Sequence, residues 1–373
     1  MFVFVCAGCG AELTVPLSQV ALPAHAHQAY GNGTQLPVLM EPGTFAVEPE
    51  PWGPPWRKWE EIHPDEAAAR GIHAPLYALS DGAPGATVIA PGDARGTVLI
   101  PENRGGGYCC GLDGSAGPNV ACAVCALPVA SRIDDCSLWQ ATWLAPGAVR
   151  RLPVDGADAV PRSWAELMVE GGSTPPFGPI AHWGSRLGAG HWSHHSWSWT
   201  PEWVAAAGRA LAHLLAASEG RPVMVPEGLA AEVFQRPLDA MLPAGRPARH
   251  AVLAGPGRPA PDGEADILLV PVHPQTGEPW APADPAAYLV PLSFGVWRWL
   301  VLPEHVPPVP MSGVLPDGVL RDDFDPPGPR ARRPFRADPE IFRRTLVRLP
   351  DVRRPWLRTI LDDLTQHIRA GHF

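Results

Sequence analysis

Two short stretches decide how this chain is read: Cys6-Ala7-Gly8-Cys9 and Cys122-Ala123-Val124-Cys125. Each sets two thiols three positions apart, so both can face one ion from a single tight turn. Two such turns supply the four ligands of a closed tetrahedral site. The spacing predicts a structural zinc (Zn2+) site with four cysteine ligands, Cys6, Cys9, Cys122 and Cys125, organising residues 1–145 as a β-rich domain.

The flanking residues fit that reading. Residues 2–5 are β-prone, Gly10 permits the positive φ that turns backbone N–H groups toward thiolates, and residues 12–16 resume an extended pattern. The first motif then lies at the tip of a hairpin-like turn. Strands are expected at 87–90, 97–100, 129–133 and 137–144, and a short helix at 64–70 with Gly71 as its stop. The Pro- and Trp-rich segment 48–60 reads as an extended strap whose rings cap the core edge. His25 and His27 read as solvated loop residues.

A local rival set for the metal joins Cys109 or Cys110 to Cys122, Cys125 and Cys136. Closing a roughly tenfold shorter loop favours it by only about 2 kcal/mol. A structural zinc site contributes about 10–16 kcal/mol in finger peptides, so loop length does not choose between the sets. The form of two CxxC turns favours the paired set, and cysteines with no metal stay open as a further reading. A redox CxxC would open a helix after a strand, whereas strand-like residues follow both motifs. Zinc deaminase chemistry needs a His-x-Glu or Cys-x-Glu element ahead of Pro-Cys-x-x-Cys, and here Ala121 precedes Cys122. The glycine triplet 105–107 has no strand–GxGxxG–helix frame and no nearby lysine, which leaves it a turn rather than a phosphate cradle.

A CxxC on an early hairpin, a long β-rich insertion and a second CxxC followed by strands together resemble the β-tent modules of the Yippee and cereblon thalidomide-binding (CULT) type. A generic zinc ribbon accounts for the cysteines nearly as well. The β-tent resemblance covers residues 1–145 and implies that one zinc, held by Cys6, Cys9, Cys122 and Cys125, pins two antiparallel sheets at their meeting edge. It also implies a nearby ligand cage, but no tryptophan stands between Trp59 and Trp139, where that cage would be built.

Composition bounds the rest. A length of 373 residues suggests two domains, and a 46% hydrophobic content is enough for a sizeable core. The net charge of -9 argues against general nucleic-acid or membrane-surface binding. CxxC pairs within an odd total of seven cysteines point to a reducing, cytoplasmic setting. Neither a signal-peptide core nor a membrane-length apolar run is found.

Residues 146–162 read as a linker, and 163–373 as an α+β domain with Pro-rich straps and a C-terminal helix at 356–369. Helices are expected from 163, from Thr200-Pro201-Glu202, around 229–234 and from Asp338, with strands near 222–225, 250–253, 266–272 and 287–292. The mixed order favours α+β over a doubly wound parallel sheet. His191, His194 and His195 have metal-ligand spacing on a helix, but Trp197 and Trp199 alternate with serines as in extended chain. Acidic 322–325 and basic 330–333 read as a partly self-neutralising loop. Two functions result. One is a zinc-stabilised binding or adaptor protein for a small molecule or another protein. The other is a metal-dependent enzyme using His191, His194 and His195 beside His182.

Overall fold

The computed structural model describes residues 1–29, 34–51, 55–103, 111–136, 138–154, 160–182, 196–259, 265–282, 287–303 and 334–373. His191, His194, His195, Cys109, Cys110 and the charged runs at 322–325 and 330–333 lie outside them. The described chain mixes helices and strands, as expected.

The N-terminal region is β-rich. Phe2–Cys6 pairs antiparallel with Val149–Pro153, Cys6 lying opposite Val149. Beside this ribbon stands a seven-stranded sheet in the order Ser18–Gln19, Thr44–Val47, Thr87–Ile89, Ala141–Leu144, Pro128–Ile133, Val120–Cys122 and Thr97–Leu99. All its pairings are antiparallel except that of the first two strands. Phe4 sits edge-on to Phe45 at 5.1 Å between ring centroids. Phe4, Leu13, Leu17, Phe45, Ile89, Val129 and Leu144 share one buried cluster, so ribbon and sheet close on the same core.

Residues 149–153 fall within the expected linker, and their strand is a correction. The Arg150-Arg151 pair and the nearby Pro/Gly chain disguise it, because residues 150–153 are all exposed and show no apolar alternation. The Arg151 guanidinium lies 4.6 Å above the Phe2 ring, so its charge stays wet while its stem covers apolar surface. The strap resolves into a short strand, Trp56–Lys58, paired with Ala78–Ser80. Trp59 packs on Ile62, Ala67, Ile72 and Leu79, whereas Trp56 is exposed.

The second region is built around one helix, Pro201–Ser218. Its run of Ala and Leu is enclosed on nearly every side, with 15 of its 18 residues buried. A helix apolar all round must be enclosed. Here the enclosure comes from the strand Tyr288–Ser293 and the helices Leu229–Met241, Phe294–Val301 and Pro339–Leu346. Thr200 precedes it as N-cap, but its hydroxyl donates to Pro175 O rather than capping. Glu219 in left-handed conformation (φ 53) ends it. The four strands Val223–Met224, Arg249–Leu253, Ile267–Val272 and Tyr288–Ser293 run parallel in chain order. This parallel sheet departs from expectation. All four strands lie where expected and only their parallel pairing was not anticipated; the first five residues of Ile267–Val272 are all buried, which is the mark of such a strand. A strand covered on both faces is continuously apolar, without the alternation that marks a strand with one wet face. The expected C-terminal helix is two, Pro355–Asp362 and Leu364–Arg369, broken at Asp363.

The two regions are stitched together. Thr34–Gln35 adds a strand to Phe177–His182, which pairs along its other stretch with Ser196–Trp199. Gln28 Nε2 donates to Pro201 O at 3.2 Å, and Gln28 Oε1 accepts from Trp139 Nε1. His73 N donates to Val347 O, and Arg348 pairs with Glu50.

One contact limits how the central helix can be altered. A Cβ on Gly208 would meet Asp338 O at 2.4 Å, and Asp338 is fixed there because its N–H donates to Val204 O. Asp338 also caps the next helix, accepting from Glu340 N and Ile341 N. Alanine exceeds glycine in helix propensity by about 1 kcal/mol, whereas overpacking costs about 1–3 kcal/mol. Because the opposing atom is backbone, the cost should sit at the upper end of that range, and Gly208→Ala is expected to lower stability by up to about 2 kcal/mol in urea denaturation despite the better helix former.

Candidate metal centre

The structure brings Cys6, Cys9, Cys122 and Cys125 together, with all four sulfurs within 4.8 Å of one another. Cys6 Sγ lies 3.5 Å from Cys125 Sγ, and Cys9 Sγ 3.6 Å from Cys122 Sγ. A disulfide would need about 2.05 Å. Four thiolates at about 2.3 Å from one tetrahedral ion stand about 3.8 Å apart, which fits. Cys136 is also buried, but outside this group.

The two turns repeat each other bond for bond. Cys6 N donates to Ala11 O and Gly10 N to Cys6 O; correspondingly, Cys122 N donates to Leu127 O and Ala126 N to Cys122 O. Closing each turn needs a left-handed residue immediately after the second cysteine. Gly10 takes φ 78 freely, while Ala126 takes φ 59. For a residue with a Cβ that conformation costs about 1–2 kcal/mol.

Each turn grows from a buried strand end. Cys6 closes Phe2–Cys6 and Cys122 closes Val120–Cys122, and both are buried, whereas Cys9 and Cys125 are exposed. The cluster thus links the two-stranded ribbon to the seven-stranded sheet. Backbone N–H groups of Cys125 and Val124 pull the Cys122 thiol down to about 7. Cys9 is held at about 12: the Ala11 N–H lowers it, but desolvation and the three crowded thiols raise it further. Four thiolates cannot ionise side by side without a cation to balance them. The donor set therefore suits a metal ion, and with four protein sulfurs no position is left for substrate.

No family model, curated protein or solved structure matches this chain.

His25 and His27, expected as solvated loop residues, are not. The His25 ring lies 4.3 Å from that of Trp139, and His27 stacks on Trp143 at 5.5 Å with the planes 18° apart. The two tryptophans wall a cavity of about 290 Å³ that His27, Leu138 and Ile133 also line. Tryptophans after the second CxxC, not before it, make this aromatic wall. His27 Nε2 also meets the Glu48 carboxylate. Burial lowers the His27 pKa; for Glu48 desolvation is the largest single influence and raises it, but the His27 contact, the Glu50 N–H and the Arg344 charge together lower it further than that. The two directions agree on a neutral imidazole donating to an ionised carboxylate, not on an ion pair.

The polar face of the Pro201–Ser218 helix is a further feature absent from the sequence expectations. Only Glu202, Arg209 and His213 escape full burial there, and their spacing of seven and four places them on one face. Arg209 and His213 of that face line a second cavity, of about 320 Å³, between the N-terminal region and the helix Pro339–Leu346. An Arg and a His four apart in an otherwise Ala- and Leu-rich run were the available signal. Among the described residues, no helix is long and apolar enough to cross a membrane.

Two outcomes are expected. Purified protein should carry about one metal ion per chain by elemental analysis; Cys6→Ser and Cys122→Ser should lose it, whereas Cys136→Ser should keep it. Acid sensitivity is the second. Burial holds His25 at about 4 against an ordinary 6.5, so the folded state refuses a proton that the unfolded chain accepts. Stability should be full above pH 6.5 and fall toward pH 4, by at most about 3 kcal/mol from this residue. His25→Phe, which keeps the ring on Trp139, should make the fall of the melting temperature over that window less steep.

Proposed function

We propose that this chain is a binding or adaptor protein whose Cys6, Cys9, Cys122 and Cys125 hold one structural zinc ion. The closed four-sulfur cluster between ribbon and sheet carries this reading. An all-thiolate, four-coordinate donor set is the one zinc adopts in structural sites, while catalytic zinc keeps an open position. Zinc then secures the edge where the two N-terminal sheets meet, as the resemblance to β-tent modules implies, and a zinc ribbon would use the same ligands. Recognition is left to the cavities on either side of His27, one walled by Trp139 and Trp143, the other lined by Arg209 and His213.

The reading is tested by removing the metal with a high-affinity chelator and following hydrogen exchange. Protection should collapse in residues 2–6, 120–122 and 149–153, and persist in Pro201–Ser218. Restored protection on adding Zn2+ but not Mg2+ is the expected result, since Mg2+ demands oxygen ligands. Unchanged protection in the stripped protein would refute a structural role.

A further inference from the structure

Among the described residues, the second cavity holds a charge without a counter-charge. Three arginines line it, Arg209 from the central helix and Arg344 and Arg348 from the C-terminal segment, against two carboxylates, Glu48 and Glu50. Arg348 is neutralised by Glu50, to which it donates through Nε at 2.6 Å and through a second guanidinium nitrogen. Glu48 takes the His27 hydrogen bond and lies in the field of Arg344. With His27 and His213 neutral, one positive charge is left over, and it resides on Arg209.

Arg209 makes no hydrogen bond or ion pair among the described residues, and desolvation alone lowers its pKa. One turn on, His213 has its Nδ1 shut away from solvent with no hydrogen-bond partner. Burial and the Arg209 charge press its pKa down to about 4. The Arg209 guanidinium lines the cavity with no protein partner among the described residues, on a helix whose other faces are packed. A ligand that pairs with it would supply the missing counter-charge.

We infer that this cleft is a binding site for a small monocarboxylate with an apolar body, its carboxylate paired with the Arg209 guanidinium beside His213. A single excess charge matches a monoanion, and the planar fork of arginine suits a carboxylate. The two glutamates on the same wall oppose a phosphate dianion. Leu22, Pro23, Ile341 and Leu349 offer the remaining wall to an aliphatic or aromatic body. About 320 Å³ is at the small end of the range for ligand sites. The inference rests on reading the chain as a binding protein and supplies the ligand class.

Calorimetric titration of the full-length, metal-loaded protein with hexanoate tests it, with 1-hexanol and inorganic phosphate as controls. Saturable 1:1 binding of hexanoate is expected, with 1-hexanol and phosphate each at least tenfold weaker. Arg209→Met should cut hexanoate affinity at least tenfold while leaving the melting temperature equal or higher, because an uncompensated charge has gone. If Arg209→Met fails to fold, Arg209→Lys serves: it keeps the charge, loses the fork and should bind at least fivefold more weakly. The inference is overturned by absent hexanoate binding, by wild-type affinity in the Arg209 variants, by phosphate binding more tightly, or by a folded Arg209→Met melting lower. Metal content is measured on every sample. A preparation with one zinc and no carboxylate binding loses this inference alone, and one that never holds zinc loses the structural-zinc reading instead.

Discussion

The enclosure of the Pro201–Ser218 helix constrains most of this molecule. A helix this short of charge is unstable in water, so strands, neighbouring helices and the N-terminal region must surround it. Gly208 lets the Asp338 backbone approach one side, and Trp203, Leu211, Leu214 and Leu215 are fully buried on others. The polar face of Glu202, Arg209 and His213 is what enclosure leaves over, and the N-terminal region closes that face only partly, leaving a cleft. Local chemistry in the cleft therefore follows from the packing of the core.

The four-thiol cluster is a second, smaller organising centre. It does not sit at the middle of the chain's core but at one end of the N-terminal sheets, joining strand ends that otherwise meet edge to edge. Matching backbone bonds in the two turns show that each is a self-contained device, built from a strand end, two thiols and one left-handed residue. The strain at Ala126 shows that turn geometry overrides local preference there.

Much of this was legible in the residues. The equal spacing of the two CxxC motifs anticipated their convergence across 112 intervening residues, because spacing encodes turn geometry and the ligands do the rest. The start of the central helix was legible from Thr200-Pro201-Glu202, and the Asp338 cap from its following Pro339-Glu340. What escaped depends on contacts distant in sequence. The strand 149–153 exists because Phe2–Cys6 offers it an edge, and nothing in its own residues says so. His25 and His27 look like loop histidines until Trp139 and Trp143, more than a hundred positions later, fold over them. The Arg209–His213 pair was visible as a break in an apolar helix, but its meaning required knowing that Glu48, Glu50, Arg344 and Arg348 face it.

The strand Thr34–Gln35 belongs by sequence to the N-terminal region and by hydrogen bonding to the sheet of Phe177–His182. Together with the Gln28 contact to Pro201, it makes neither half a portable unit. Severing the chain between residues 146 and 162 would strip Phe2–Cys6 of its Val149–Pro153 neighbour or expose a sheet edge on each fragment, inviting self-association. Either half expressed alone would carry an unfinished sheet with it.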